Sequence, residues 1–157
     1  LYPLIDEVIS SGGEFRMYPR GVSMLPLLVQ GEDSVVLVSL GDVCVNDMIL
    51  YRRDSGQFVL HRLVKIEGDE YIMCGDNQGE LERGIKKEHL LAKVKYFYKK
   101  DKKVSLDSEE YLKYLKKLPA RRKRLKIKGF FARVKNKIFK KYNGESPKKY
   151  RKKINQG

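Results

Sequence analysis

The sequence predicts a mainly β fold, a coiled or barrel-like antiparallel sheet with a short helix before it and a basic helical tail after it. Three observations carry this. Short runs rich in β-branched and aromatic residues recur at roughly ten-residue spacing between Glu14 and Tyr98. Glycine, aspartate and asparagine punctuate them. Beyond Lys99 the apolar period changes from that of a strand to that of a helix, and the charge changes sign.

The elements follow in order. Leu4, Ile5 and Val8 lie at helical spacing behind Pro3, so residues 3–11 form a helix that stops at Gly12-Gly13. Five or more strands are expected, from runs such as SVVLVSL, DMILYRR, QFVLHRLVKI, EYIMCGD and LLAKVKYFY. YRRDSGQFVLHR is a hairpin turning at Asp54-Ser55-Gly56. Asp107 is placed to cap a second helix with Glu110 three residues on, and Leu112, Leu115 and Leu118 continue it until Pro119 stops it. Ile127, Phe130, Phe131, Val134, Ile138 and Phe139 then recur near helical spacing among lysines and arginines. The last stretch, NGESPKKYRKKINQG, has no apolar period and reads as disordered.

Charge divides the chain of 157 residues into two parts. Residues 1–98 hold 11 Lys/Arg against 15 Asp/Glu, and residues 99–157 hold 23 against 5, giving the net +14 of the whole. A mildly acidic domain over 1–98 thus carries a polycation over 99–157, which is drawn to something anionic. The apolar positions in the tail favour an anionic membrane surface. Nucleic acid falls behind, because no helix-turn-helix, zinc-finger or RNA-binding signature is present. No run approaches the ~20 apolar residues that span a bilayer. The N-terminus also lacks a basic-then-apolar export signal, so the expected place is the cytoplasm, peripheral to the inner face of the membrane. Cys44 and Cys74 fall outside any metal-ligand spacing and are read as free, buried thiols, with a disulfide between them as the alternative, and no metal or cofactor is called for.

Gly21-Val22-Ser23-Met24-Leu25-Pro26 offers a nucleophile, but a serine hydroxyl needs a base to take its proton. Histidine is scarce: His61 lies in the apolar strand Phe58–Val64, on one face with Val59 and Leu63, and His89 lies elsewhere. An imidazole with an ordinary pKa near 6.5 suits a general base, provided that a carboxylate orients it. The loop from Gly75 to Gly84 offers three, Asp76, Glu80 and Glu82.

G-x-S-M-x-P, a hydrophobic strand ending in H-R, and G-D-N, in that order, resemble the signal peptidase I/LexA clan of serine peptidases. The likeness is to its Ser–His branch and covers about Phe15 to Tyr98. The resemblance implies that the coiled sheet is of the signal peptidase/LexA type. It makes Ser23 the nucleophile and His61 the base. It also implies Glu82 as the third residue, where the branch has an aspartate ahead of Arg83-Gly84, with Asp76 as the alternative. Gly21 stands where signal peptidases carry a serine that helps the oxyanion, so the hole rests on backbone N–H groups, that of Ser23 among them, with Gly21 allowing close backbone approach; Gly21, Met24 and Pro26 belong to this oxyanion and substrate loop. The expected activity is a serine endopeptidase acting on a peptide or preprotein through an acyl-enzyme. The rivals are a LexA-like self-cleaving regulator and an inactive scaffold of the same fold that binds peptide or membrane.

Overall fold

The computed structural model describes residues 2–144. Helix α1 (Tyr2–Ser10) leads into strands β1 (Phe15–Met17), β2 (Ser34–Val38), β3 (Met48–Arg52), β4 (Phe58–Glu67) and β5 (Glu70–Cys74). A 3₁₀ turn (Lys87–His89), β6 (Leu90–Lys99), β7 (Lys102–Ser105) and the long helix α2 (Glu109–Gly144) complete the order. The expected disorder of the chain's last residues lies outside the described residues.

All strand pairs are antiparallel, and the sheet runs β1-β2-β6-β3-β4-β5, with β7 joined to β6. The barrel expectation is corrected here. β1 and β5 end the path without pairing with each other, so the sheet is not a closed barrel. Three register shifts, at Val36/Leu37, Leu50/Tyr51 and Leu63/Lys65, break the ladders; such bulges sharpen twist and re-aim side chains.

β3 shows how the sheet is covered on both faces. Its residues alternate, so Met48 and Leu50 join one cluster with α1, Val35, Leu37, Ala92 and Phe97. Ile49 and Tyr51 join a second with Leu63, Met73, Ile85 and Leu90. The hairpin turns as expected: Arg53 N–H donates to the Gln57 carbonyl at 2.9 Å and Gly56 N–H to that of Arg53 at 2.8 Å.

The sheet does not end at Tyr98. β7 pairs with β6, and Val104, Tyr111 and Leu118 are buried in the first core or beside it. Two helix expectations are corrected. The cap of α2 is Ser108, whose hydroxyl accepts from Tyr111 N–H at 3.4 Å, while Asp107 takes the Ser105 hydroxyl. Pro119 does not stop the helix but lies inside it. A proline there costs about 3 kcal/mol. Burial of Tyr111 and Leu118 contributes about 2–3 kcal/mol each, and Arg121 adds bonds to the Asp76 carbonyl at 3.1 Å and Asn77 Oδ1 at 2.9 Å. Helix continuation wins.

A buried ion pair holds α2 to the sheet. Arg62 of β4 donates to both oxygens of Asp76, Nε at 2.7 Å and Nη2 at 2.6 Å. Nη1 reaches the Asn46 carbonyl at 2.7 Å and Tyr111 Oη at 2.8 Å, and Tyr114 Oη donates to Asp76 at 2.9 Å. Removing one partner of such a pair strands the other charge, so Asp76→Ala is expected to cost about 3–5 kcal/mol in urea unfolding. The double change Arg62→Met/Asp76→Leu should recover most of that loss. A cost under about 1 kcal/mol for Asp76→Ala would remove the pair from its structural role.

Candidate active site

The second face of the sheet assembles a polar cluster from hairpin register. His61 lies opposite Ile49, and Tyr51 opposite Val59. Directly opposed residues share a face, so Tyr51 and His61 are diagonal neighbours, with ring centroids 6.0 Å apart. Tyr51 also sits at the Leu50/Tyr51 register shift. Arg53 continues the alternation past the end of β3. Glu82 comes from the following loop and is pinned by a two-way backbone bridge to Met73, at 3.0 and 2.7 Å.

The bonds in this cluster assign its protons. Tyr51 Oη lies 2.6 Å from Glu82 Oε2 and 3.0 Å from His61 Nδ1. A carboxylate only accepts, so the tyrosine proton goes to Glu82 and the tyrosine oxygen accepts from His61 Nδ1–H. The imidazole's basic lone pair is then on Nε2, the tautomer that a general base needs. Glu82 is 3.7 Å from Nδ1 and is gripped in a bidentate manner by Arg53, at 2.6 and 2.7 Å.

Electrostatics keep this histidine neutral. Burial, with only 3% of its surface exposed, pulls the His61 pKa down to about 4; Glu82 pushes it up, and Arg53 pushes it down again. Burial pushes the Glu82 carboxyl up, but bonds from Arg53 and Tyr51 outweigh it and hold the carboxyl below its ordinary value. Burial first, then Glu82, drives the Tyr51 phenol far upward, so it stays protonated.

Ser23 reaches this region from the loop after β1. Its carbonyl accepts from Asn77 N–H at 2.8 Å, and Asn77 Nδ2 donates to the Val22 carbonyl at 3.2 Å. Continuing the Arg62↔Cys74 register by one residue sets Gly75 opposite His61. A Cβ on Gly75 would lie 2.5 Å from the Ser23 carbonyl oxygen, so the Ser23 backbone occupies the space that this glycine leaves. Gly21 has φ +89°, a conformation L-residues rarely adopt, and its N–H donates to Gln30 Oε1. Met24 is buried as an anchor, and Pro26 follows a cis peptide bond. The N–H of Ser23 has no protein acceptor among the described residues.

Ser23 and Gly21 line a cleft of about 610 Å³ together with Met17, Leu50, Arg53 and Leu60. His61 is not on that wall, and no hydrogen bond engages Ser23 Oγ among the described residues. The structure thus joins His61 to Glu82 through Tyr51, and it brings the Ser23 backbone against the strand end beside His61. Asp76 is committed to Arg62, and Glu80 pairs with Arg133 at 2.8 Å. His89 is elsewhere, bonded to Asp54 at 2.9 Å. Both cysteines are free, Cys44 exposed and Cys74 buried. No group of three His, Cys, Asp or Glu is gathered to hold a metal among the described residues.

No family model matches the chain, and no curated protein and no solved structure matches it either.

Tyr51 and Arg53 are the residues that sequence reasoning missed. The signal was present in the hairpin: a turn at Asp54-Ser55-Gly56 aligns Tyr51 with Val59, two residues from His61.

Two pH outcomes follow. The folded His61 binds its proton more weakly than the unfolded chain does. Stability should therefore fall as pH drops from about 6.5 to about 4 and lose no more from this group below that. His61→Gln should flatten the fall of melting temperature over that window. Arg53→Gln should raise the imidazole pKa above 4 in a proton NMR titration, since it removes a repelling charge and frees Glu82. An unchanged titration would mean that Arg53 has no hold on His61.

Proposed function

We propose that this protein is a serine endopeptidase of the signal peptidase/LexA-like type that cleaves a peptide or preprotein through an acyl-enzyme. The observation that carries this reading is the Glu82–Tyr51–His61 chain, which leaves an unprotonated Nε2 on a strand residue set opposite Gly75, the glycine that makes room for the Ser23 backbone. The order of the motifs and the open antiparallel sheet support it.

Ser23 Oγ attacks the substrate carbonyl carbon as His61 Nε2 takes the hydroxyl proton. Charge on the former carbonyl oxygen is met by backbone N–H groups of the loop that follows Gly21, Ser23 N–H among them. The imidazolium formed is balanced by Glu82 at 3.7 Å, through and beside the tyrosine. It returns its proton to the leaving amine, and water then resolves the acyl-enzyme with His61 again as base. Glu82 acts through Tyr51, so both are positioning residues. The extended substrate lies in the cleft that Ser23 lines, beside edge strand β1.

One observation favours a second reading, a non-catalytic scaffold of the same fold: Ser23 Oγ has no hydrogen bond to His61 among the described residues. A serine-directed acylating probe decides between the two. Wild type should label, Ser23→Ala should not, and His61→Ala should label slower by roughly 10²–10⁴-fold. Tyr51→Phe should slow it by about tenfold or more. Because His61 is neutral down to about 4, the acid limb of the labelling rate should fall near pH 4, not near the ordinary histidine value. Labelling of Ser23→Ala at the wild-type rate removes the nucleophile assignment, and no labelling of wild type selects the scaffold. Appearance of two fragments in intact-mass measurements of the incubated protein selects a self-cleaving regulator.

A further inference from the structure

The outer part of α2 adds nothing to the core of the domain and touches it through the exposed Arg133–Glu80 pair. From Phe130 to Lys141 every residue is exposed, whereas Tyr111 and Leu118 of the same helix are buried. Residues 121–141 contain eleven lysines and arginines and no acid. An ordinary solvated helix with that composition would be polar all round. This one exposes Ile127 (48%), Phe130 (58%), Phe131 (65%), Val134 (37%) and Ile138 (61%).

Those five residues share one face, because steps of three and four return to nearly the same side of a helix. Arg133, tied to Glu80 of the domain, lies roughly a third of a turn away from the middle of that stripe. The stripe is thus turned aside from the contact that holds the helix, and lysines flank it. The segment from Ile127 to Lys141 is about 22 Å long.

We infer that the outer half of α2 is an interfacial helix that docks the protein on an anionic lipid surface, with the five-residue stripe among the acyl chains and the lysines at the headgroups. Charge complementarity selects the occupant. Pairing two such helices through their stripes would set like charges together with no acid to offset them. Nucleic acid would engage the cations, but Ile127, Val134 and Ile138 offer bases nothing to stack on. A bilayer surface with anionic headgroups uses both features at once. The inference does not depend on the peptidase reading.

The test is co-sedimentation of the full chain with vesicles of phosphatidylcholine containing phosphatidylglycerol, beside vesicles of phosphatidylcholine alone. Binding is expected to the first and not the second, and to fall as salt rises. Phe130→Ser/Phe131→Ser should weaken partitioning at least tenfold, and each Lys→Gln change on the flanks by roughly fivefold. The urea midpoint should not move, because these side chains are exposed. The chain has no tryptophan, so Phe131→Trp supplies a single indole whose emission should shift to the blue with anionic vesicles only. Absence of binding to anionic vesicles at low salt overturns the inference. So does binding that the double serine variant leaves unchanged, which together with tight binding to duplex RNA would mark a polycation for nucleic acid. Loss of lipid binding with serine labelling intact separates this surface from the cleft.

Discussion

A guanidinium withdrawn from water has to be matched completely, and the rest of this molecule is arranged around that requirement at Arg62. The side chain is fully buried, and four of its hydrogen bonds go to Asp76, Asn46 and Tyr111. Burial alone would lower its pKa, and Asp76 more than offsets that. Each partner belongs to a different segment, so satisfying one residue fixes β4, the loop before β3, the loop after β5 and the first turns of α2 against one another. Because Asp76 is held, its neighbour Asn77 is held, and Asn77 is what grips the backbone of Ser23. Because strand residues alternate, fixing Arg62 on one face also sets His61 on the other. Ser23 and His61 are therefore both positioned by one buried charge that takes no part in the chemistry proposed for them.

The polar cluster on the opposite face has its own internal balance. A carboxylate directly on imidazole Nδ1 would raise its basicity; here a neutral tyrosine stands between them and an arginine neutralises the carboxylate. Together with burial this yields a weak base that is ready in its neutral form across the physiological range. A weak base transfers a proton less readily, so the arrangement trades driving force for a fixed tautomer and orientation. Anything in the cleft that engages Arg53 would shift that balance, since Arg53 lines the cleft and holds Glu82 at once.

What could be read from sequence followed what is local. The five main strands and the Asp54-Ser55-Gly56 turn are visible because apolar runs and turn residues act within a few positions. The first helix is visible for the same reason. Strand β7 was hidden because KKVS has a single apolar residue, Val104, and gains its place only from pairing with β6. The passage of α2 through Pro119 was hidden because the stabilising contacts, Leu118 in the core and Arg121 on Asp76 and Asn77, lie far away in sequence. In the site, Ser23, His61 and Glu82 carry motif signals, whereas Tyr51 and Arg53 look like ordinary strand and turn residues until the register is known. The two roles open for Asp76 are separated by Arg62, a contact across fourteen residues.

The long helix unites these observations. Its inner face, through Tyr111, Tyr114 and Arg121, completes the shell of the buried pair and holds the loop that carries Asn77. It passes so close to Gly79 that a side chain there would collide with the backbone of Leu125 and Lys126. Past that point the contacts with the domain thin to Arg133 on Glu80, and the apolar residues begin to face outward. One helix thus changes environment along its length, packed on protein in its first turns and exposed from Phe130 to Lys141. The same residue, Asn77, is one hydrogen bond from α2 and one from the Ser23 backbone, so the helix and the Ser23 loop are tied through a single side chain and its own N–H.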